Sequence, residues 1–125
     1  MEKNIKWGIV GLGRIARAFA EGLKHTDNGN LHCVGSRDLD KAIEFAKEWE
    51  APHSAGSYEE LAKREDIDAV YVATPHSEHA RLANLCMSHG KAVLCEKPMA
   101  VNAKQVETMI QCAKENNVLL MEGMW

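Results

Sequence analysis

The sequence predicts an α/β fold, a doubly wound parallel sheet of the Rossmann type that forms a single domain over residues 1–125. Three observations predict it. Short β-branched runs alternate with longer helical patterns, one internal run is nearly all apolar, and a glycine-rich turn joins the first run to the first helix. Such alternation is typical of βαβ units, and 125 residues is the length of one ordinary domain.

The first half of the chain is expected to begin with a strand from Ile5 to Val10 and a helix just after it. A turn at residues 27–30 then precedes a second strand from Leu31 to Gly35. Apolar residues recur at every fourth position of the first helix and predict its buried face: Ile15, Phe19 and Leu23.

Two further helices are predicted by their capping residues. Asp38 is an N-cap candidate for a helix that ends before Pro52, and a weak strand follows near His53. The residues Ser57-Tyr58-Glu59-Glu60 match a capping box that opens a short helix to about Arg64.

The second half continues the alternation with three strands and two helices. The predicted elements are a strand at Ala69–Ala73, a helix at Ser77–His89 ended by Gly90, a strand at Ala92–Cys95, a helix capped by Asn102 with Val106, Met109, Ile110 and Ala113 on its apolar face, and a strand at Val118–Met121.

Composition excludes several classes of protein. Lys and Arg number 15 against 18 Asp and Glu, a net charge of −3, so we expect no nucleic-acid partner. No apolar run approaches the roughly 20 residues of a membrane helix, and the amino terminus does not resemble a signal peptide, so we expect no membrane partner. The cysteines lack metal or disulfide spacing and are expected to be reduced core thiols of a cytoplasmic protein: Cys33, Cys86, Cys95 and Cys112.

The glycine-rich turn carries a G-x-G-x-x-A motif from Gly11 to Ala16. Gly11 would allow a tight turn, Gly13 would let a pyrophosphate approach the backbone, and Ala16 would let helix and strand pack closely. Glycines in such a turn can also serve geometry alone, but directly after the first strand the motif predicts dinucleotide binding. The predicted cofactor-binding residues of the turn are Gly11, Leu12, Gly13, Arg14 and Ile15.

The end of the second strand indicates which dinucleotide is bound. An NAD site usually places a carboxylate there for the ribose, whereas an Arg suits the 2′-phosphate of NADP. Ser36 and Arg37 stand at this position, so NADP is favoured over NAD. Two alternatives stay open: Arg37 as a solvated surface residue, and Asp38 as the ribose ligand in competition with its capping role.

Two further motifs follow the later strands. They are Val72-Ala73-Thr74-Pro75-His76-Ser77-Glu78-His79 and Gly90-Lys91-Ala92-Val93-Leu94-Cys95-Glu96-Lys97-Pro98. Together with the glycine turn they resemble the amino-terminal domain of the Gfo/Idh/MocA family of oxidoreductases, over essentially the whole chain. The closing residues 121–125 resemble the dihydrodiol and D-xylose dehydrogenase branch of that family.

The resemblance implies an NAD(P)-dependent oxidoreductase that transfers hydride to or from a hydroxyl or carbonyl carbon of a sugar, polyol or diol. It implies a homo-oligomer and a second, larger α/β domain that supplies much of the substrate pocket. That domain is not in this sequence, so residues 1–125 are expected to be the cofactor-binding fragment of a two-domain enzyme. The alternative is a stand-alone Rossmann module that senses cofactor redox state without catalysis.

Ligands of such sheets bind at the carboxyl ends of the strands, where the motif residues lie. The cofactor-binding residues predicted there are Thr74, Pro75, His76, His79, Glu96 and Lys97. His76 and His79 have metal-like spacing but no third ligand near them in sequence, so we expect no metal site there. His79 has the alternative of packing in the first helical turn with its ring satisfied by backbone. The other histidines are expected to be surface or cap residues: His25, His32, His53 and His89.

Lys97 is the predicted catalytic residue. The resemblance implies that this lysine contacts the reacting oxygen and the nicotinamide ribose. An ammonium group at that place would stabilise negative charge that develops on the substrate oxygen, or would take part in a proton relay. The alternative is a surface lysine paired with Glu96. The family's general acid or base often comes from the second domain.

Overall fold

The computed structural model describes residues 5–96, 100 and 102–123, apart from the side chain of His76. Its elements in chain order are β1 (Ile5–Val10), α1 (Arg14–Leu23), β2 (Gly29–Gly35), α2 (Leu39–Glu48), β3 (His53–Ala55), α3 (Tyr58–Ala62), β4 (Ala69–Val72), a 3-10 turn (His76–Glu78), α4 (His79–Ser88), β5 (Ala92–Glu96), α5 (Ala103–Glu115) and β6 (Leu120–Gly123).

The six strands form one parallel sheet in the order β3-β2-β1-β4-β5-β6. The order runs outward in both directions from β1 and β4, which confirms the doubly wound α/β fold. The weak strand near His53 is present as β3 and pairs with β2.

Alternate residues of the central strands supply two cores, one on each face of the sheet. Ile9 and Tyr71 pack in the layer that includes the apolar face of α2. Their neighbours Val10 and Val70 pack on the opposite face, with α3, α4 and α5. Because both faces are covered, β4 is buried at every position, as its nearly all-apolar sequence predicts.

The helix ends follow the predicted local chemistry. Asp38 caps α2 by accepting from the backbone N–H groups of Asp40 and Lys41, at 3.0 and 3.3 Å. Asn102 caps α5 through the N–H of Gln105 at 2.9 Å. Gly90, with φ of +81°, ends α4 as predicted.

Ser57 caps α3 through the N–H of Glu60 at 3.1 Å, as the capping box predicts. The Glu60 carboxylate, however, accepts from the N–H of Gly56, one residue before the cap. The helix ends at Ala62, two residues before the predicted Arg64.

The buried face of α1 differs from the predicted one. Ala16 and Ala20 are buried, whereas Ile15 is 40% exposed. Phe19 and Leu23 are partly buried, as predicted. The first turn of α1 lies at the carboxyl edge of the sheet, beyond the strands, so Ile15 has little apolar surface to cover it.

Three other local predictions are corrected. Strand β2 begins at Gly29, not Leu31, because Gly29 pairs with Ile5 in the parallel ladder. A 3-10 turn occupies the predicted start of the helix at Ser77, a common form for a helix beginning. His32 is not a surface residue, since its side chain is only 13% exposed.

The thiols of Cys33, Cys86 and Cys95 are buried, and Cys112 is partly buried. None of the four forms a disulfide with a described residue, as predicted for reduced core thiols. Within residues 5–96, 100 and 102–123, no helix is both long and apolar enough to cross a bilayer.

Candidate functional site

Four chain segments meet at the carboxyl edge of the sheet. Gly11 follows β1, Ser36 follows β2, Thr74 lies two residues after β4, and Glu96 ends β5. Since β2, β1, β4 and β5 are neighbours in this order, the sequence motifs that follow them converge along one edge. The two halves of the sheet diverge between β1 and β4, which is where open α/β sheets bind their ligands.

Gly11 cannot be replaced without strain, because its φ is +89° and the end of β4 lies against it. A Cβ atom at this position would lie 2.7 Å from the backbone N of Thr74 and 2.9 Å from the carbonyl oxygen of Ala73. The Gly11 N–H donates to the carbonyl of Gly35 at 3.4 Å. The turn is therefore fixed between the ends of β2 and β4.

Gly13 lies on the side of the same turn that no described atom covers. It is the N-cap of α1 in extended backbone, and no side chain caps the helix there. A Cβ atom on Gly13 would meet no described atom within 4 Å. The first turn of α1 contains no acidic residue, and Arg14 and Ile15 are exposed. An uncapped helix start presents free N–H groups and positive dipole, which favour an anion.

Leu12, between the two glycines, is partly buried against the core layer of α1 and α2. Its side chain anchors the turn, so its contribution to a ligand would come from the backbone.

The end of β2 presents a short polar loop. The Ser36 hydroxyl accepts from the N–H of Asp38 at 3.1 Å, and the Ser36 N–H donates to Ala55 at 3.2 Å. Arg37 is exposed and makes no hydrogen bond or ion pair with the described residues. Asp38 is engaged in capping α2. Arg37 is therefore available to an anion, while Asp38 would have to leave its cap to hold a ribose.

The segment after β4 is held by His79. The His79 ring is 1% exposed, and its Nε2 lies 2.8 Å from the carbonyl oxygen of Thr74. This is the alternative placement considered for His79, with the ring satisfied by backbone. Pro75 is exposed, and His76 begins the 3-10 turn. His79 therefore holds the segment after β4 in its position beside Gly11.

The end of β5 contains a contact that the sequence analysis missed. The hydroxyl of buried Tyr71, on β4, donates a hydrogen bond to the carboxylate of Glu96. A tyrosine in an otherwise apolar buried strand needs a partner for its hydroxyl, and that signal could have found the pair. Lys97 and Pro98 lie outside the described residues.

The residues present fit a nicotinamide dinucleotide. The open Gly13 backbone and the uncapped α1 can take a pyrophosphate, and Arg37 can take a further phosphate. The hydroxyl oxygen of Thr74 is buried and has no hydrogen-bond partner among the described residues. A buried polar atom without a partner requires an explanation, and a ligand group at this edge would supply one.

Comparison with known proteins identifies the family. A profile of the Gfo/Idh/MocA family, described as an oxidoreductase family with an NAD-binding Rossmann fold, matches residues 5–124. The chain belongs to this family. The predicted resemblance is thus confirmed.

Among curated proteins, the domain is similar to trans-1,2-dihydrobenzene-1,2-diol dehydrogenases. It is 44% identical to the mouse (Mus musculus) enzyme over 123 residues, which are 97% of this chain and 37% of the mouse protein. It is also 44% identical to the Xenopus laevis enzyme over 122 residues, covering 96% and 37% of the two chains. The chain therefore spans about a third of the length of these relatives.

Solved structures of the same fold include a 3-ketoreductase from Actinomadura kijaniata in complex with TDP-benzene and NADP. Its TM-score is 0.91 at 32% identity, covering 96% of this chain and 38% of that one. The apo scyllo-inositol dehydrogenase of Lactobacillus casei aligns with a TM-score of 0.89 at 26% identity, covering 98% and 37%.

Proposed function

We propose that this Gfo/Idh/MocA domain is the cofactor-binding part of an NAD(P)-dependent oxidoreductase. The reaction would transfer hydride between the cofactor and a hydroxyl or carbonyl carbon of a sugar, polyol or diol. The named activities of the relatives support this substrate class, since they include a diol dehydrogenase, an inositol dehydrogenase and a 3-ketoreductase. A second, substrate-binding domain would complete the enzyme, as the share of the relatives that this chain covers suggests.

The turn at Gly11 and Gly13 carries the proposal. Gly11 is held against β4 in a conformation that favours glycine, and Gly13 leaves the start of α1 open. A turn needed only to join β1 to α1 would not require an open backbone and an uncapped helix at the same place. A pyrophosphate bound there would receive the free N–H groups of the first turn of α1.

The other edge residues would hold the rest of the cofactor. Ser36 and Arg37 would contact the adenosine ribose and its phosphate. The backbone of Thr74 and Pro75, positioned by His79, would lie along the cofactor, with His76 and Glu96 near its nicotinamide end. Arg37, which is exposed and has no partner among the described residues, supports NADP over NAD.

The bound cofactor supplies a hydride donor or acceptor at the nicotinamide end of this edge. Lys97 directly follows Glu96 in the sequence, and we propose it as the catalytic residue. Its ammonium group would stabilise negative charge on the substrate oxygen, so it would act mainly on the transition state. In a protein that carries the substrate-binding domain, Lys97→Met should lower kcat by about a hundredfold or more. The NADPH dissociation constant should change far less; an unchanged kcat would make Lys97 a surface lysine.

Binding of NADPH to the 125-residue chain tests the proposal directly, with a matched pair of variants. Gly13 and Gly22 both lie where an added Cβ meets no described atom within 4 Å, but only Gly13 is in the turn. We expect the wild-type chain to bind with a dissociation constant of about 10–100 μM. Gly13→Ala should weaken binding by about tenfold or more, because the methyl group would occupy the space of a phosphate.

Gly22→Ala should leave NADPH affinity unchanged and raise stability slightly, since alanine is favoured inside a helix. Isothermal titration calorimetry measures the affinities, and circular dichroism checks that both variants fold. Equal affinities of wild type and Gly13→Ala would overturn the assignment of the turn to the cofactor.

Self-association and a cytoplasmic location are further parts of the proposal. Strand β6 is an edge of the described sheet, and exposed apolar side chains lie beside it: Ile110 at 45%, Leu119 at 63% and Met121 at 52%. An edge of this kind recruits another chain, so dimers or larger species are expected in sedimentation at high concentration. Strictly monomeric sedimentation would contradict this part. The four cysteines, none of which forms a disulfide with a described residue, support a reducing compartment.

A further inference from the structure

A cluster of two histidines and an aspartate lies away from the cofactor edge. It consists of His32 in β2, His53 at the start of β3 and Asp66 in the loop before β4. His53 starts β3 and Asp66 precedes the amino end of β4, whereas Gly11, Ser36 and Thr74 follow carboxyl ends. The proposed reaction uses none of the three residues, which come from separate parts of the chain.

The ladder between β1 and β2 has an irregularity of the β-bulge type at His32. Trp7 of β1 pairs with Leu31 and the next residue, Gly8, pairs with Cys33, so His32 is an extra residue without a partner in β1. Bulges of this kind re-aim a side chain and often occur beside functional sites. Here the His32 ring is nearly buried, at 13% exposure, and its Nε2 lies 2.8 Å from Oδ2 of Asp66.

His53 approaches the same carboxylate oxygen from the edge strand. Its Nε2 is 3.9 Å from Oδ2 of Asp66, and its ring meets that of His32 edge to face with centroids 4.9 Å apart. Both Nε2 atoms are thus turned towards one oxygen. His53 and Asp66 are 43% and 38% exposed, which leaves an entry path and room for a water ligand.

We propose that His32 Nε2, His53 Nε2 and Asp66 Oδ2 form a binding site for a divalent transition-metal ion of the Zn²⁺ class. Two ligands about 2.0–2.1 Å from a tetrahedral ion lie about 3.3 Å apart, and the observed separations of 2.8 and 3.9 Å fall on either side of that value. The ion would replace the hydrogen atom of the His32–Asp66 hydrogen bond. Water would fill the fourth position.

The donor set selects the class of metal. Two imidazoles with one carboxylate suit Zn²⁺, Co²⁺, Ni²⁺ or Cu²⁺, whereas Mg²⁺ and Ca²⁺ require mainly oxygen ligands. Arg64 holds the carboxylate with two hydrogen bonds, Nε to Oδ1 at 2.9 Å and NH2 to Oδ2 at 2.8 Å. Arg64 orients the carboxylate without contacting the ion itself. Its positive charge lowers the affinity of the site for any cation, so most of the binding free energy must come from the two histidine nitrogens.

The bound ion would tie the edge of the sheet together. Strand β3 has only three residues and pairs with β2 alone. An ion bridging β2, β3 and the loop before β4 would hold this short strand in register. Its effect should therefore appear as stability of the fold and not as a change at the cofactor edge.

Titration of the metal-free 125-residue chain with Co²⁺ tests the site, in the presence of a phosphine reductant. We expect saturable binding of one ion, visible absorption bands of four-coordinate Co²⁺, and displacement by Zn²⁺ but not by Mg²⁺. His53→Ala should weaken Co²⁺ binding by about tenfold or more, because it removes a ligand. His53 is exposed, so this variant should keep its fold.

His25→Ala is the matched control, since His25 is an exposed histidine whose ring contacts Glu21 and no other charged group among the described residues. It should bind Co²⁺ like the wild type. Zn²⁺ should raise the Tm of the wild type and of His25→Ala but not that of His53→Ala. No saturable binding, equal affinity in wild type and His53→Ala, or a thiolate-to-cobalt band in the near ultraviolet would overturn the proposal. Gly13→Ala should still bind Co²⁺, which keeps this test independent of the cofactor site.

Discussion

The hydroxyl of Tyr71 donates a hydrogen bond to the carboxylate of Glu96 across the neighbouring strands β4 and β5. The Tyr71 ring is fully buried and stacks on Phe19 of α1, with centroids 4.1 Å apart. One side chain therefore packs against the helix that begins at the glycine turn and also orients the last described residue before Lys97. Tyr71 therefore connects the core to the glycine turn, through α1, and to the end of β5, through Glu96.

Replacement of Tyr71 by Phe should separate these two roles. The ring would keep its place on Phe19, while the partly buried Glu96 carboxylate would lose a charge-assisted hydrogen bond. We expect Tyr71→Phe to lower the free energy of unfolding by about 1.5–3 kcal/mol. Urea denaturation followed by circular dichroism measures the difference.

Tyr58→Phe provides the matched control. Tyr58 is also largely buried, at 9% exposure, but its hydroxyl makes no hydrogen bond with the described residues. This variant should remain within about 0.5 kcal/mol of the wild type. Similar losses in both variants would mean that the Tyr71–Glu96 hydrogen bond contributes no special stability.

Gly11 and Gly90 separate the effect of a positive φ from that of close backbone approach. Both have positive φ, +89° and +81°, but an added Cβ would overlap the backbone of Ala73 and Thr74 only at Gly11. Gly90→Ala should lower the free energy of unfolding by about 1–2 kcal/mol through backbone strain alone. Gly11→Ala should lower it by about 2–5 kcal/mol, because overlap is added to strain.

Thermal and urea denaturation of the two variants measure the comparison. A Gly11→Ala variant that fails to fold agrees with the larger effect. A Gly11→Ala variant as stable as Gly90→Ala would contradict the close approach between the glycine turn and the end of β4.

Much of the fold could be predicted because its signals are local. The apolar run of β4 and the capping residues Asp38 and Asn102 act within a few positions of themselves, and the structure has each where the sequence places it. The residue type of Gly29 predicts a turn, but pairing with β1 overrides that preference. Ile15 fits the helical period but lies past the end of the sheet.

In the candidate site too, the local features could be predicted from the sequence and the long-range contacts could not. The glycine turn could be found from spacing alone, because Gly11 and Gly13 act within one short segment. The pairs Tyr71–Glu96 and His32–Asp66 join residues 25 and 34 positions apart, and no periodicity encodes such contacts. The bulge at His32 depends on the register between β1 and β2. The hydrophobic pattern of the two strands does not determine that register to the single residue.

Buried thiols should make the fold sensitive to alkaline pH. Burial raises the pKa of Cys86 and of Cys95 from 9.0 to about 12. The folded state thus retains these protons more strongly than the unfolded state. Stability should be unaffected by the thiols below pH 9 and should fall as pH rises from about 9 towards 12, with each thiol adding up to about 1.4 kcal/mol per pH unit.

The slope of stability against pH distinguishes the thiols from other groups that titrate in this range. Cys86→Ala should reduce the slope between pH 9 and 11, whatever it does to stability at pH 7. Cys112→Ala is the control, because Cys112 is only partly buried, and it should change the slope less. An identical slope in wild type and Cys86→Ala would show that Cys86 ionises equally in both states.

Arg37 should determine the preference for NADP. Its side chain is exposed at the end of β2 and makes no hydrogen bond or ion pair with the described residues that an incoming phosphate would have to break. A charge-assisted contact with the 2′-phosphate is worth about 1.5–3 kcal/mol. Arg37→Ala should therefore weaken NADPH binding by about tenfold or more and leave the affinity for NADH nearly unchanged.

Lys47→Ala is the matched control, because it removes the same charge from the far end of α2. It should alter neither affinity beyond about twofold, since exposed distant charges are screened. Calorimetry measures the affinities of both variants for both cofactors. Equal losses of NADPH and NADH affinity in Arg37→Ala would mean that Arg37 does not contact the 2′-phosphate. An equal loss of NADPH affinity in Lys47→Ala would mean that only the net charge of the protein matters.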